Sequence, residues 1–133
     1  MGQSRQPDST SVVLVVEDEP LLRMMAVDLI EDAGFTVVEA SSADEAVHLL
    51  ETRLDIRIVF TDIDMPGSMD GLKLAAAIRD RWPPIEIIIT SGAVTNAAAQ
   101  LPDRAVFFPK PYDHTRLLST LQGFADLPSL PGL

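Results

Sequence analysis

Short runs of mostly apolar, largely β-branched residues recur along this chain and constrain its fold more than any other feature. The clearest is Val12–Val16, which contains no polar residue, and Ile56–Thr61 and Ile85–Thr90 each contain a single charged one. Runs of this kind are typical of strands buried on both faces, as in a parallel sheet. Two shorter segments, Thr36–Glu39 and Ala105–Phe108, complete the pattern. The sequence therefore predicts five buried strands.

The segments between these strands carry helix-start residues and apolar residues at helical spacing. Pro20 suits the first turn of a helix, Ser42 and Glu45 form a capping box, and Asp113 is a good N-cap for the last helix. Five helices are predicted: from Pro20 to a stop at Gly34, from Ser42 through Leu50, from Asp70 to Arg81, over Ala93–Gln100, and from Asp113 through Phe124.

Strands that alternate with helices at this spacing form right-handed βαβ units with a parallel sheet. We therefore expect an α/β, flavodoxin-like, doubly wound five-stranded parallel sheet of order 2-1-3-4-5 with five helices. The folded domain is expected over residues 11–126, with tails at 1–10 and 127–133. In the first helix, Leu22 falls on the apolar stripe, and we expect one of Met24 and Met25 in the core and the other on the surface.

Composition excludes several classes of function. The chain of 133 residues has 10 Lys and Arg against 20 Asp and Glu, a formal charge of −10. Nucleic-acid binding and binding to anionic membranes both need clustered cations, so neither is expected. There is no cysteine, which excludes disulfides and thiolate metal sites. No apolar run is long enough for a membrane span and no signal peptide is evident, so we expect a cytoplasmic protein.

Polar residues follow four of the predicted strands. In sheets of this kind ligands bind beyond the carboxyl ends of the strands, at the switch point between strands 1 and 3. The first strand ends in Glu17 and Asp18, the third in Asp62, the fourth in Thr90, and the fifth runs into Lys110. We therefore expect three carboxylates, a hydroxyl and an ammonium to meet at one edge of the sheet.

Three neighbouring carboxylates repel one another unless a cation neutralises them. Mg²⁺ is the cation that suits a few carboxylates and waters. A carboxylate in such a site can attack a phosphoryl group and form an acyl phosphate. Lys110 and Thr90 would then neutralise and hydrogen-bond the phosphoryl oxygens. Asp62 is the best candidate nucleophile because it lies centrally.

These motifs, taken together, resemble the receiver domain of two-component response regulators, as in single-domain CheY-like proteins. The matching segments are VVLVVEDEP, VFTDIDMPGSMDG, IIITSG and FFPKPY, in the order that the family has them over residues 11–125. The resemblance implies that Asp62 is phosphorylated by a histidine kinase or a phosphotransfer protein. It implies Mg²⁺ held by Glu17, Asp18, Asp62 and the backbone carbonyl of Asp64.

The resemblance also implies roles in switching. Thr90 and Lys110 would bind the phosphoryl group, Thr90 and Phe107 would act as switch residues, and the Lys110–Pro111 bond is usually cis in this family. The signal would pass to a downstream protein. The receiver would act as a stand-alone domain, either a monomer or a weak homodimer. It would catalyse only its own phosphorylation and dephosphorylation. Three features depart from the common pattern. Glu17 is the first acid in place of Asp, Phe107 stands where many relatives have Tyr, and the loop MPGSMDG has one extra residue.

Other interpretations compete with this one. Glu17 and Asp18 alone would fit an acidic helix N-terminus. Asp62 and Asp64 also resemble the Asp-x-Asp motif of haloacid-dehalogenase-type phosphatases, but that family carries it on the first strand of a larger domain. The chain could instead be a receiver-like binding module that is not phosphorylated, or a receiver taken from a hybrid kinase or multidomain regulator. His114 and His48 are expected on exposed helix surfaces away from the strand ends.

Overall fold

The computed structural model describes residues 12–65, 70–92 and 101–126, which form a parallel sheet with helices on both faces. The strands are β1 (Val12–Val16), β2 (Thr36–Ala40), β3 (Ile56–Asp62), β4 (Glu86–Ser91) and β5 (Ala105–Pro109). The helices are α1 (Pro20–Asp32), α2 (Ala43–Thr52), α3 (Gly71–Arg81) and α4 (His114–Ala125). The strand order is β2-β1-β3-β4-β5, with every pairing parallel.

This order is the predicted 2-1-3-4-5, so the expected fold class is confirmed. β1 has the predicted bounds, β4 is shifted by one residue at both ends, and the other three strands each end one residue later than predicted. β3 therefore includes Asp62, and β4 includes Ser91. The described residues contain four of the predicted helices. The helix expected over 93–100 and the tails expected at 1–10 and 127–133 lie outside the described residues.

The register of the sheet brings the strand ends together. Val16 of β1 pairs with Thr61 of β3, and Asp62 pairs with Thr90 of β4. Thr90 in turn pairs with Phe108 of β5. Because all strands run in one direction, the residues that follow β1, β3, β4 and β5 lie at the same edge of the sheet.

The core is divided between the two faces of the sheet. On one face, alternate strand residues such as Leu14 and Ile89 pack against α2 and α3. On the other face, Val15, Phe60 and Ile88 pack against α1 and α4. Burial on both faces explains why the strands are continuous apolar runs rather than alternating ones.

Three helices begin with side-chain caps, of which the sequence predicts those at Ser42 and Asp113. Ser42 accepts a bond from the backbone N–H of Glu45 at 3.1 Å, Asp70 one from Lys73 at 2.9 Å, and Asp113 one from Arg116 at 3.2 Å. The return bond of the capping box goes one residue further back, from the backbone N–H of Ser41 to Glu45 at 2.7 Å. No helix in the described part of the chain is long and apolar enough to cross a membrane.

Helix α1 departs from the expected pattern of burial. Met24 and Met25 are both about half exposed, at 53% and 54%, so the prediction that one would enter the core is wrong. Leu22, on the predicted apolar stripe, is 42% exposed. The core contact of α1 comes from the residues further along it, Ala26, Val27 and Ile30. The first turns of α1 therefore present apolar side chains at the surface.

Candidate functional site

Three carboxylates lie together where β1 and β3 end. Glu17, Asp18 and Asp62 each offer an oxygen within 4.8 Å of the others. Glu17 and Asp62 are buried, and Asp18 is partly buried. A set of hard oxygen donors that carries excess negative charge fits Mg²⁺, which prefers a few carboxylates and completes its shell with water. The residues present therefore fit the cation that the sequence predicts.

Lys110 is the cation of this cluster. Its Nζ lies 3.2 Å from Oδ2 of Asp62 and 3.5 Å from Oε1 of Glu17. Its backbone N–H donates to the carbonyl of Ser91 at 2.9 Å, so the chain after β5 is tied to the end of β4. The Lys110–Pro111 bond is cis, as predicted. The ammonium therefore pairs with two of the three carboxylates of the cluster.

The pKa values of two groups show how burial and charge compete here. Burial of the Glu17 carboxyl raises its pKa above the ordinary 4.5, and the nearby charge of Asp62 raises it further. The backbone N–H of Glu19, which donates to Glu17 at 3.1 Å, acts in the opposite direction. Burial by itself lowers the pKa of Lys110, but the charges of Asp62 and Glu17 outweigh it and the net pKa lies above 10.5.

The backbone just after β3 holds the second oxygen of Asp62. The N–H of Asp64 donates to Oδ1 of Asp62 at 3.2 Å. The Asp64 side chain is exposed, and its Oδ2 accepts a bond from the hydroxyl of Ser91 at 2.9 Å. The position of Asp64 is therefore fixed from two sides, by Asp62 and by the end of β4.

Gly71 allows the start of α3 to approach Asp62. A Cβ on this glycine would lie 2.1 Å from the carbonyl oxygen of Asp62 and 2.7 Å from the Cα of Ile63. Both atoms belong to the backbone and cannot move aside cheaply. The N–H of Gly71 also donates to the carbonyl of Ile63 at 3.1 Å. Only glycine fits this contact without displacing the loop that carries Asp62.

Arg23 holds the acidic loop from the side of α1. Its guanidinium donates to the carbonyl of Glu17 at 2.8 Å and to the carboxylate of Glu39, at the end of β2, at 3.1 Å. Arg23 therefore links the acidic loop after β1 to β2. Nothing in the strand-end pattern points to this residue.

Thr90 and Phe107 lie on opposite faces of the sheet. Thr90 is buried, and its hydroxyl has no hydrogen-bond partner among the described residues. A buried hydroxyl without a partner is costly, so an incoming acceptor beside Asp62 would satisfy it. Phe107 is partly buried against the α2–α3 side of the core.

A cavity of about 350 Å³ opens on the α1–α4 side of the site. Its lining combines polar residues of the cluster with apolar residues of α1, of the strands and of the chain that follows β5. It is lined by Val15, Val16, Glu17, Leu22, Met25, Ala26, Phe60, Asp62, Thr90, Lys110, Pro111, Tyr112 and His114. His48 and His114 are exposed as expected, but His114 lines this cavity, so the expectation that it lies away from the strand ends is wrong.

The strand ends thus bring together the acids, Thr90 and Lys110 that the sequence singles out. Three contributors escape that reasoning: Ser91, Arg23 and Tyr112. Ser91 follows Thr90 directly, and its position one residue further along β4 is the only sequence signal for it. Tyr112 stacks edge-on against Phe60 with ring centroids 5.6 Å apart, a contact that depends on the path of the loop after β5.

Comparison with known sequences agrees with this geometry. The family described as the response regulator receiver domain matches residues 13–122. The chain belongs to the response regulator receiver domain family. Receiver domains of this family bind Mg²⁺ in their acidic pocket and interact with histidine kinases and downstream effectors, and the cluster Glu17, Asp18 and Asp62 fits that pocket.

Similar receivers occur both in kinases and in regulators. The chain is 38% identical over 117 residues to the sensor kinase CckA of Brucella abortus, covering 85% of this chain and 12% of that kinase. It is 35% identical over 123 residues to the response regulator protein FleR of Pseudomonas aeruginosa, covering 90% of this chain and 25% of that regulator. The chain therefore spans a quarter or less of these two relatives.

Solved structures show the same fold. A response regulator receiver protein from Pseudomonas putida aligns with a TM-score of 0.78 and 29% identity, over 85% of this chain and 96% of that one. The receiver domain of the hybrid histidine kinase CckA aligns with a TM-score of 0.72 and 28% identity, over 86% of this chain and 99% of that one. The fold and family of the receiver thus rest on both sequence and structure.

Proposed function

We propose that this receiver accepts a phosphoryl group on Asp62 and signals by the resulting change in its surface. The observation that carries the proposal is the setting of that carboxylate. It is buried and lies 3.2 Å from the ammonium of Lys110. It shares an edge of the sheet with two further acids and with the Thr90 hydroxyl, which has no hydrogen-bond partner in the described part of the chain. Each of these groups suits phosphoryl transfer.

In the proposed reaction an oxygen of Asp62 forms a bond to phosphorus, and the bond between phosphorus and the donor's leaving atom breaks. The electron pair of the broken bond remains on the leaving group, and the product is an acyl phosphate. Mg²⁺, when bound by Glu17, Asp18, Asp62 and the carbonyl of Asp64, supplies positive charge for the phosphoryl oxygens.

The remaining roles belong to the chain itself. Lys110 neutralises the charge on the transferred group, and the Thr90 hydroxyl donates to one of its oxygens. Recruiting Thr90 would shift an existing equilibrium between two conformations and repack Phe107, which is only partly buried. We propose no reaction beyond the receiver's own phosphorylation and dephosphorylation.

We further propose that the donor is a phosphohistidine on a kinase or phosphotransfer protein, and that the phosphorylated form acts on a downstream protein. Exposed apolar residues beside the site support a protein partner, because a cluster of them marks interaction surfaces. They are Leu21, Leu22, Met24 and Met25 of α1, between 42% and 58% exposed.

The extent of the receiver domain, residues 11–126, is part of this proposal. Monomeric or weakly dimeric behaviour, a cytoplasmic location and stand-alone action stay predictions. An immunoblot of the native protein tests the last of these, because a product much larger than the 133-residue chain would show that the receiver is part of a longer protein.

The proposal is tested by incubating the chain with a small phosphodonor, with and without Mg²⁺, and measuring its intact mass. We expect wild type to gain one phosphate only when Mg²⁺ is present, and Asp62→Asn to gain none. Equal uptake by Asp62→Asn would refute the role of Asp62, and uptake that ignores Mg²⁺ would refute the metal site. A wild-type chain that takes up no phosphate under any condition would favour a binding module that works without phosphorylation.

A further inference from the structure

The cavity beside Asp62 is lined by both polar and apolar residues. Its apolar and aromatic lining includes Leu22 and Met25 of α1, Phe60 of β3 and Tyr112, which follows β5. Its polar lining includes Asp62 itself and Lys110. We propose that this cavity receives the leaving group of the phosphodonor, and that it favours donors whose leaving group is a flat, apolar ring. The inference rests on the proposed function.

The position of the cavity supports this use. In phosphoryl transfer the nucleophile and the leaving group lie roughly in line on opposite sides of phosphorus. Asp62 itself lines the cavity of about 350 Å³, together with residues of α1 and of the chain after β5. A phosphoryl donor that reaches Asp62 through this cavity therefore has its leaving group on the side of phosphorus away from Asp62, among the other lining residues.

Charge limits what that leaving group can be. Glu17 and Asp62 both line the cavity, and Lys110 is already within 3.5 Å of each. A leaving group with additional negative charge would be repelled by the acids. Charge that develops on the departing atom itself would lie near the ammonium of Lys110, which can stabilise it.

The walls favour an apolar, flat group. Leu22 and Met25 are 42% and 54% exposed, so covering them with an apolar ring removes hydrophobic surface from water. The ring of Tyr112 is half-buried and is fixed edge-on to Phe60, with an angle of 89° between the planes. A lining that combines this fixed aromatic pair with flexible Leu and Met side chains suits a planar ring.

Benzoyl phosphate and acetyl phosphate make a matched pair of probes. Each is an acyl phosphate, and in each the Asp62 oxygen bonds to phosphorus while the bond from phosphorus to the bridging oxygen breaks. The electron pair stays on that oxygen, so benzoate or acetate departs and no additional proton or co-reactant is needed. The two donors differ in the group that would enter the cavity.

The experiment measures initial phosphorylation rates with Mg²⁺ and both donors well below saturation, and takes the ratio of benzoyl to acetyl phosphate for each variant. We expect a ratio of about ten or more for wild type. Leu22→Ser and Met25→Ser should lower the ratio about three- to tenfold. Met24→Ser is the control, because Met24 is 53% exposed on the same helix and does not line the cavity.

Each result of this experiment either supports or overturns the proposed leaving-group site. A ratio that falls in Leu22→Ser and Met25→Ser but not in Met24→Ser supports the proposal. A ratio that is the same in all variants, or that falls equally in Met24→Ser, overturns it while leaving Asp62 as the phosphoacceptor. Absence of phosphate from both donors in wild type overturns the proposed function, and the leaving-group site with it. Thermal unfolding of each variant confirms that it is folded.

Discussion

Lys110 is the residue on which the balance of charge in this site depends. It lies 3.2 Å from Asp62 and 3.5 Å from Glu17, and both of those carboxylates are buried. Removing the cation leaves two buried acids with less compensation, which is more costly than losing an exposed ion pair. The lysine therefore contributes to stability as well as to the proposed chemistry.

We predict that Lys110→Gln lowers the free energy of unfolding by about 1–3 kcal/mol without added metal. Added Mg²⁺ should recover part of this loss, because the extra cation replaces the missing charge. Lys73→Gln, which removes an equal charge from the exposed surface of α3, should change stability by less than about 0.5 kcal/mol. Chemical denaturation of wild type and both variants, with and without Mg²⁺, measures these changes in the free energy of unfolding. Equal decreases for Lys110→Gln and Lys73→Gln would contradict the role of Lys110.

Which site residues could be foreseen depends on where they lie in the strands. Glu17 directly follows β1, Asp62 ends β3 and Thr90 is the last residue but one of β4. A parallel sheet therefore brings them together whatever its details. The bond from Ser91 to Asp64 depends instead on the path of the loop after β3. Tyr112 reaches Phe60 only because the chain turns back after β5, and no pattern in the sequence reveals that turn.

At the scale of single elements, the approach of α3 to β3 sets the geometry around Asp62. Gly71 begins α3, and the backbone of Asp62 occupies the space where a larger residue would place its Cβ. In the interior of α4, Gly123 has nothing within 4 Å of that position. The two glycines therefore have opposite expected responses to substitution by alanine.

We predict that Gly71→Ala lowers the free energy of unfolding by about 2–3 kcal/mol, because the backbone around Asp62 must shift. It should also weaken Mg²⁺ binding. Gly123→Ala should instead raise the free energy of unfolding by about 0.5–1 kcal/mol, since alanine favours the helix and the site is open. Denaturation curves measure the stability of both variants, and a Mg²⁺ titration measures metal binding by Gly71→Ala. An unchanged free energy of unfolding in Gly71→Ala would contradict the close contact with Asp62.

The start of α2 gives a prediction about pH. The bonds from the backbone N–H and hydroxyl of Ser41 hold the pKa of Glu45 below 4.5. A carboxyl with a lowered pKa in the folded state stabilises the fold above its unfolded pKa, and this contribution is lost as the pH falls through the folded value. Glu45 therefore stabilises the protein near neutral pH and less so in acid.

Glu45→Ala should lower the free energy of unfolding by about 0.5–1 kcal/mol near pH 7. The difference from wild type should shrink as the pH falls through and below 4.5, the ordinary value for Glu45. Glu45→Gln keeps an acceptor but does not titrate, so it should show a weaker effect near neutrality. A difference that grows towards acid pH would contradict the assignment.

The elements also show where periodicity misleads. The caps at Ser42 and Asp113 could be predicted directly from the sequence, because each depends on a few adjacent residues. The apolar stripe of α1 predicted burial for Leu22, which is instead 42% exposed. Helical spacing identifies an apolar face but not whether a neighbouring element covers it, and here the cavity lies beside that part of the face.

For the whole molecule, the charge of −10 gives bound cations a large effect. Three of its acids meet at one edge of the sheet, where their repulsion opposes folding. A ligand that binds the folded state stabilises it by mass action. We predict that Mg²⁺ raises the melting temperature of wild type and does so much less in Asp18→Asn, as measured by calorimetry. An equal rise in the melting temperatures of wild type and Asp18→Asn would show that Mg²⁺ binds away from Asp18.

Asp62 is the one of four neighbouring acids that we propose carries the phosphoryl group. Borohydride reduces an aspartyl phosphate to homoserine, so it marks the modified residue permanently. After phosphorylation with Mg²⁺ and reduction, peptide mass mapping should find homoserine at position 62 and unmodified side chains at Asp18 and Asp64. Reduction at Glu17, Asp18 or Asp64, with position 62 unchanged, would show that Asp62 is not the phosphoacceptor.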